Sequence, residues 1–107
     1  MLVVTMNDLP GYRVVRVIGT VRGVTVRARS VVGTFGAFLQ MIFGGNITVF
    51  SKLAEQTRQE AYDLLVAHAT EMGANAVIAM RYDANEMAST ATEVMAYGTA
   101  VVVEKIS

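Results

Sequence analysis

The run "EVMAYGTAVVVE", Glu93 to Glu104, carries apolar side chains at both parities of an extended chain. Successive side chains of a strand point to opposite faces, so a strand of this kind must be covered on both. With 107 residues there is material for one domain and one modest core. A single layer of helix on a single sheet covers one face only. The last strand therefore sets a demand that one copy of the chain does not meet.

The remaining segments read as one α+β domain over residues 1–107. "YRVVRVIGTVRGVTVRA", Tyr12 to Ala28, is extended, with Val15, Val17, Gly19 and Val21 at odd positions and Arg16, Ile18, Thr20 and Arg22 at even ones, one face packed and one partly solvated. After Gly23 the apolar residues change parity to Val24 and Val26, which predicts a bulge at the glycine or a turn between two strands. "LVVT" adds an edge strand, closed by the turn "NDLPG". Phe35, Phe38, Leu39 and Ile42 form the stripe of a short helix that Ala37, Met41 and Phe43 make apolar on its other side as well.

A long helix begins at a cap, Asn46 or Thr48, and runs to about Met72. Its stripe is Phe50, Leu53, Ala54, Thr57, Ala61, Leu64, Leu65, His68 and Met72, with Lys52, Glu55, Gln59, Asp63 and Thr70 opposite. Gly73 stops it. "NAVIAMRYDA" is a strand with Val77 and Ile78 on opposite faces, and "NEMASTAT" is a polar turn before the last strand. The expected architecture is one antiparallel sheet with helices on one side, in the order strands, short helix, long helix, strands.

Composition sharpens the demand for cover. Hydrophobic residues make up 53% and charged residues 17%, against about 25% charged in an ordinary soluble domain. The formal net charge is zero, so nothing in the overall charge keeps copies apart. Such a chain is expected to cover itself with copies of itself. The absence of cysteine excludes disulfides, thiolate metal sites and cysteine nucleophiles. The longest apolar tract, Val31 to Phe43, spans 13 residues and holds Thr34 and Gln40, too short to cross a bilayer as a helix. "MLVVTMNDLPGYRVV" has no secretory pattern, and the expected location is the cytoplasm. Nine basic and nine acidic residues imply neither a nucleic acid nor a membrane as partner.

The segments "TVRGVTVRARS", a "GG" after a short helix, "MGANAVIAMRYD" and "EVMAYGTAVVV" together resemble the YbjQ-like family of small bacterial and archaeal proteins. The likeness covers Tyr12 to Val103. It implies a two-layer, dodecin-like subunit assembled as a homopentameric ring, in a family labelled heavy-metal-binding whose members have no assigned mechanism. The sequence departs from that family's pattern at Val31–Phe43, which is uncharged where relatives usually carry charges, and at Asn46, where they tend to be acidic.

A metal reading has little to work with. Soft and borderline metals need two to four converging thiolate, thioether or imidazole ligands. The chain offers His68 as its one imidazole, and seven methionines. His68 and Met72 share a helix face, but that face is apolar, which points to a neutral imidazole bonded to a backbone carbonyl and to methionine as core filler. The chain is expected to present no metal ligand and no catalytic residue. Only a ring gathering one His68 from each copy would assemble several imidazoles.

Enzyme chemistry finds no serine–histidine–aspartate set. The carboxylates Asp83, Glu86, Glu93 and Glu104 fall in turns or at strand ends. Arg81 and Asp83 point to one side of a strand and could pair, holding an anion or a neighbouring subunit. Gly33, Gly36, Gly44 and Gly45 lack the lysine and hydroxyl residue of a phosphate loop. Arg13, Arg16, Arg22, Arg27 and Arg29 cluster early, with only Tyr12 as an aromatic platform nearby, so a solvated sheet face or ion pairs between subunits is expected. The function expected is a homo-oligomeric binding module, not an enzyme, with a small ligand or metal held between subunits and its cofactor undefined. The alternative is a small enzyme whose site is completed across an interface.

Overall fold

The computed structural model describes residues 1–28, 48–88 and 91–106. These form strands β1 (Leu2–Val3) and β2 (Tyr12–Ala28), helix α1 (Thr48–Glu71), and strands β3 (Ala76–Ala88) and β4 (Ala91–Lys105). The sheet order is β1-β3-β4-β2. β4 pairs antiparallel with both β2 and β3, while β1 lies parallel to β3 through Leu2–Ala76 and Val3–Val77. The expected antiparallel sheet is thus a mixed one. The short helix expected over Phe35–Phe43, and the caps at Asn46, lie outside the described residues.

β4 is apolar at both parities because one subunit already covers both of its faces over part of its length, more than the sequence led one to expect of a single copy. Its even positions Ala96 and Ala100 join Val21, Ala61, Leu65, Ala69, Val77 and Met80 in the core beneath α1. Its odd positions Val101 and Val103 join Leu9 and Ala76 in a second, smaller core on the other face. Val77 and Ile78 pack against different cores, as their alternation requires. The second core is confined to one end of that face, where the β1–β2 connection folds Leu9 beneath the sheet. Elsewhere on this face Val17, Val24 and Val26 are 65%, 39% and 50% exposed.

The parity change at Gly23 has a different cause from the one the sequence suggests. β2 runs unbroken through Gly23, and its one-residue irregularities fall between Val14 and Arg16 and between Val17 and Gly19. Val24 and Val26 lie exposed on the face opposite α1 of a strand that has not turned over. The turn expected over Asn85–Thr92 is shorter than composition suggests, since β3 extends to Ala88 and β4 begins at Ala91.

Helix α1 is about 36 Å long at 1.5 Å per residue for its 24 residues. Thr57, Ala61, Leu65 and Ala69 form its buried face. Leu64, expected in that stripe, is 49% exposed on a flank, and Ala54 is also exposed. Its end is a Schellman motif: Gly73 has φ 87°, its N–H reaches the Thr70 carbonyl, and Ala74 N–H reaches that of Ala69, both at 3.0 Å.

Asn75 then turns the chain into the sheet. Its side chain mimics a strand residue, donating from Nδ2 to the Val103 carbonyl at 2.9 Å and accepting from Val103 N–H at 2.8 Å. Asn75→Ala is expected to cost about 1–3 kcal/mol, because both part-buried groups of Val103 lose their partner. Urea denaturation measures it; an unchanged midpoint would show that water replaces the amide without loss.

A bulge follows in β3. The β3–β4 register shifts between Ile78 and Arg81, and Ala79 sits in the left-handed region with φ 54°. The segment after β1 holds it there, with Ala79 N–H on the Met6 carbonyl at 2.7 Å and Met80 N–H on that of Val4 at 3.0 Å. Glycine is the usual occupant of such a position. Ala79→Gly is therefore expected to stabilise by about 0.5–1 kcal/mol, the relief of left-handed strain exceeding the greater entropy of the unfolded chain. A lower denaturation midpoint would contradict this.

Candidate functional site

His68 projects from α1 toward β2, the outer strand of the sheet. Its Nδ1 lies 3.3 Å from the Arg22 carbonyl oxygen and 3.4 Å from the Arg22 nitrogen. Residue Arg22 stands level with Tyr97 on β4, and its backbone groups here turn away from the ladder toward the imidazole. The histidine therefore caps an edge position of β2. Met72 is half-buried against the α1 core. Among the described residues no group of three or more His, Cys, Asp or Glu converges. Zinc, copper and nickel titrations are expected to give the same isotherms for the protein and for His68→Ala. Stoichiometric binding lost in the variant would overturn that.

Arg81 and Asp83 share a sheet face, Arg81 level with Tyr97 and Asp83 with Met95. They do not pair. Arg81 Nη1 donates to the Thr5 carbonyl at 2.7 Å and the Met80 carbonyl at 2.8 Å, because the bulge at Ala79 draws it to the chain segment after β1. Asp83 accepts instead from Asn85 Nδ2 at 3.1 Å. The other carboxylates are scattered: Glu104 forms an ion pair with Arg13, Glu93 stands level with Val26, and the Glu86 side chain lies outside the described residues, as do those of Arg27 and Arg29 and all of Gly33, Gly36, Gly44 and Gly45. Arg16 and Arg22 form no ion pair among the described residues.

What the structure does bring together was not evident from motifs. An open groove of about 410 Å³ lies between the N-terminal half of α1 and β3, lined by Glu55, Arg58, Gln59 and Tyr82. Arg58 Nη1 is 3.9 Å from Glu55 Oε1, and Gln59 Nε2 donates to Asp63 Oδ1 at 2.9 Å. Partial burial, then the neighbouring Tyr62, raises the Tyr82 phenol above its ordinary value of 10.0, with Arg58 opposing. Arg58 and Tyr62, one turn apart on α1, were the available signal. What they meet, Tyr82, is set by the β3 bulge. The groove can hold a planar or mixed-charge group. It holds no nucleophile with a base beside it.

A helix layer on a mixed four-stranded sheet, with an open groove between α1 and β3, defines a small two-layer α+β protein. The family model described as "Putative heavy-metal-binding" matches residues 1–104, and the chain belongs to this YbjQ family. A UPF0145 protein of Burkholderia thailandensis is 55% identical over 100 residues, covering 94% of this chain and 90% of that one. A UPF0145 protein of Solibacter usitatus is 60% identical over 99 residues, 92% of this chain and 88% of that one. A crystal structure of a protein of unknown function from Pediococcus pentosaceus, of the DUF74 family, shares the fold with TM-score 0.61 at 17% identity, over 97% of this chain and 98% of that one. Among the described residues no helix is long and apolar enough to cross a membrane.

Proposed function

We propose that the chain is the subunit of a homo-oligomeric binding module of the cytoplasm, a ring of five by its family resemblance, that holds a small ligand or a metal where copies meet. The exposed valines of the sheet face opposite α1 carry this reading: Val17, Val24 and Val26 lie in line along β2 with no cover among the described residues. Burying such a face against a second copy is favourable by about 25 cal/mol per Å².

Shape supports the same reading. The radius of gyration is 17.4 Å and the extents are 58 × 25 × 18 Å, against a radius of about 13 Å for a compact domain of this length. The subunit is drawn out by its β2–β4 ribbon, a form that becomes globular in company. Among the described residues no cluster of three or more His, Cys, Asp or Glu competes with a site between copies. Native mass spectrometry of the protein purified from its own host tests the binding half of the proposal. The expected spectrum is an assembly that retains an adduct lost on denaturation. An assembly that carries no adduct would leave a purely structural ring.

A further inference from the structure

We infer that the groove between α1 and β3 binds a small zwitterion with a flat side chain, the chemistry of a free aromatic amino acid. Both walls of the groove belong to one subunit. The site therefore goes beyond the homo-oligomeric reading and does not depend on it.

One wall is α1. Glu55 and Arg58, three positions apart, set a carboxylate and a guanidinium side by side at the groove. Their nearest atoms are 3.9 Å apart, longer than the roughly 2.7–2.9 Å of a charge-assisted hydrogen bond. The Arg58 side chain is 55% exposed and that of Glu55 79%. The two charges are neighbours without being bonded to each other. Gln59, on the same wall, donates instead to Asp63 at 2.9 Å, which occupies that second carboxylate.

The other wall is Tyr82. It stands level with Ala96, on the sheet face that α1 covers, and its ring is open to the groove. Arg81 and Asp83, its neighbours along β3, point to the opposite face and do not line the groove. Partial burial and the Tyr62 phenol raise the Tyr82 phenol above its ordinary value, so the ring is uncharged at neutral pH. Arg58 lowers that value and Glu55 raises it, which places both charges of the α1 wall within reach of the ring.

The walls select among three kinds of small ligand. A plain anion meets Arg58 but also the Glu55 carboxylate. A plain cation meets Glu55 but also the Arg58 guanidinium. A zwitterion with its charges a few ångströms apart satisfies both, with its carboxylate on the Arg58 fork and its ammonium on Glu55. A planar side chain on the same molecule then stacks on Tyr82. The groove volume, about 410 Å³, falls at the small end of the roughly 300–1,000 Å³ of small-molecule sites.

Titration of the isotope-labelled protein, followed by NMR, tests the site with three probes that share one ring. L-Phenylalanine carries both charges, phenethylamine the cation alone and hydrocinnamate the anion alone. L-Phenylalanine is expected to bind at about 1 mM or tighter, shifting the signals of Glu55, Arg58 and Tyr82 most. The other two should bind about fivefold to tenfold more weakly, each losing one exposed ion pair and facing one like charge. Arg58→Gln should remove the advantage of L-phenylalanine over phenethylamine, and Glu55→Gln its advantage over hydrocinnamate. Both substitutions fall at exposed positions of α1, where the core is untouched.

Hydrocinnamate binding as tightly as L-phenylalanine would make the groove an anion site, and phenethylamine doing so a cation site. Either result overturns the proposal. So would the absence of shifts at the three residues, or a selectivity that both substitutions leave unchanged. The readout is separate from subunit mass. A monomer that binds L-phenylalanine here would keep this site and remove the homo-oligomeric reading, and an assembly indifferent to it would do the reverse.

Discussion

Gly23→Ala is expected to destabilise the fold by about 3 kcal/mol or more, the upper end of what overpacking costs. The added methyl would overlap the Ala61 carbonyl oxygen and the Leu65 amide nitrogen, and would lie 2.8 Å from Leu64 Cβ. Two of the three are backbone atoms of α1, so no side-chain rotation relieves the contact. The helix would have to lift from β2, the strand it packs on most extensively, and open the core around Leu65 and Val21, both of which are fully buried. For about 100 residues, 3 kcal/mol corresponds to a fall in melting temperature of roughly 12–20 °C. A melting temperature within about 2 °C of wild type would mean that α1 does not seat on β2 as described.

Gly98→Val should cost about 2–3 kcal/mol. Gly98 is buried in the middle strand, and a Cβ there would meet Val77 Cγ1 at 2.7 Å, the Ile78 carbonyl oxygen at 3.0 Å and Met80 Cα at 3.3 Å. The nearest atom belongs to a β-branched side chain with little rotamer freedom, but it is a side chain, so the expected cost is smaller than at Gly23. Retention of the wild-type denaturation midpoint would show that the β3 bulge shifts to make room.

The two glycines mark the limits of what the sequence discloses. Gly98 interrupts a strand apolar on both faces, and that pattern alone says that something approaches closely. Gly23 sits where apolar residues change parity, which reads as a break in the strand. The strand is continuous through Gly23, and Val24 and Val26 are apolar yet exposed. Periodicity reports which residues are apolar, and apolar residues left exposed on a continuous strand read as a break in it. Leu64 likewise fits the predicted helix stripe although it is exposed, while Ala69, too small to stand out, is fully buried.

Features written in local chemistry were legible. Gly73 ends α1, and Val77 and Ile78 divide between the two faces. Features set by distant partners were not. The two residues of β1 join β3 in parallel only because the segment after β1 also bonds Ala79 and Met80. That contact holds the bulge, and the bulge in turn separates Arg81 from Asp83. The groove at Tyr82 joins residues more than 20 positions apart, and no motif encodes it.

The claim on which the rest depends is that this subunit does not exist alone. Light scattering coupled to gel filtration, at micromolar concentration, measures it directly. The account predicts a mass that is a whole multiple of 11.5 kDa, five subunits if the family resemblance extends to assembly. A single species of 11.5 kDa would contradict it, and the exposed valines of β2 would then be surface without a partner.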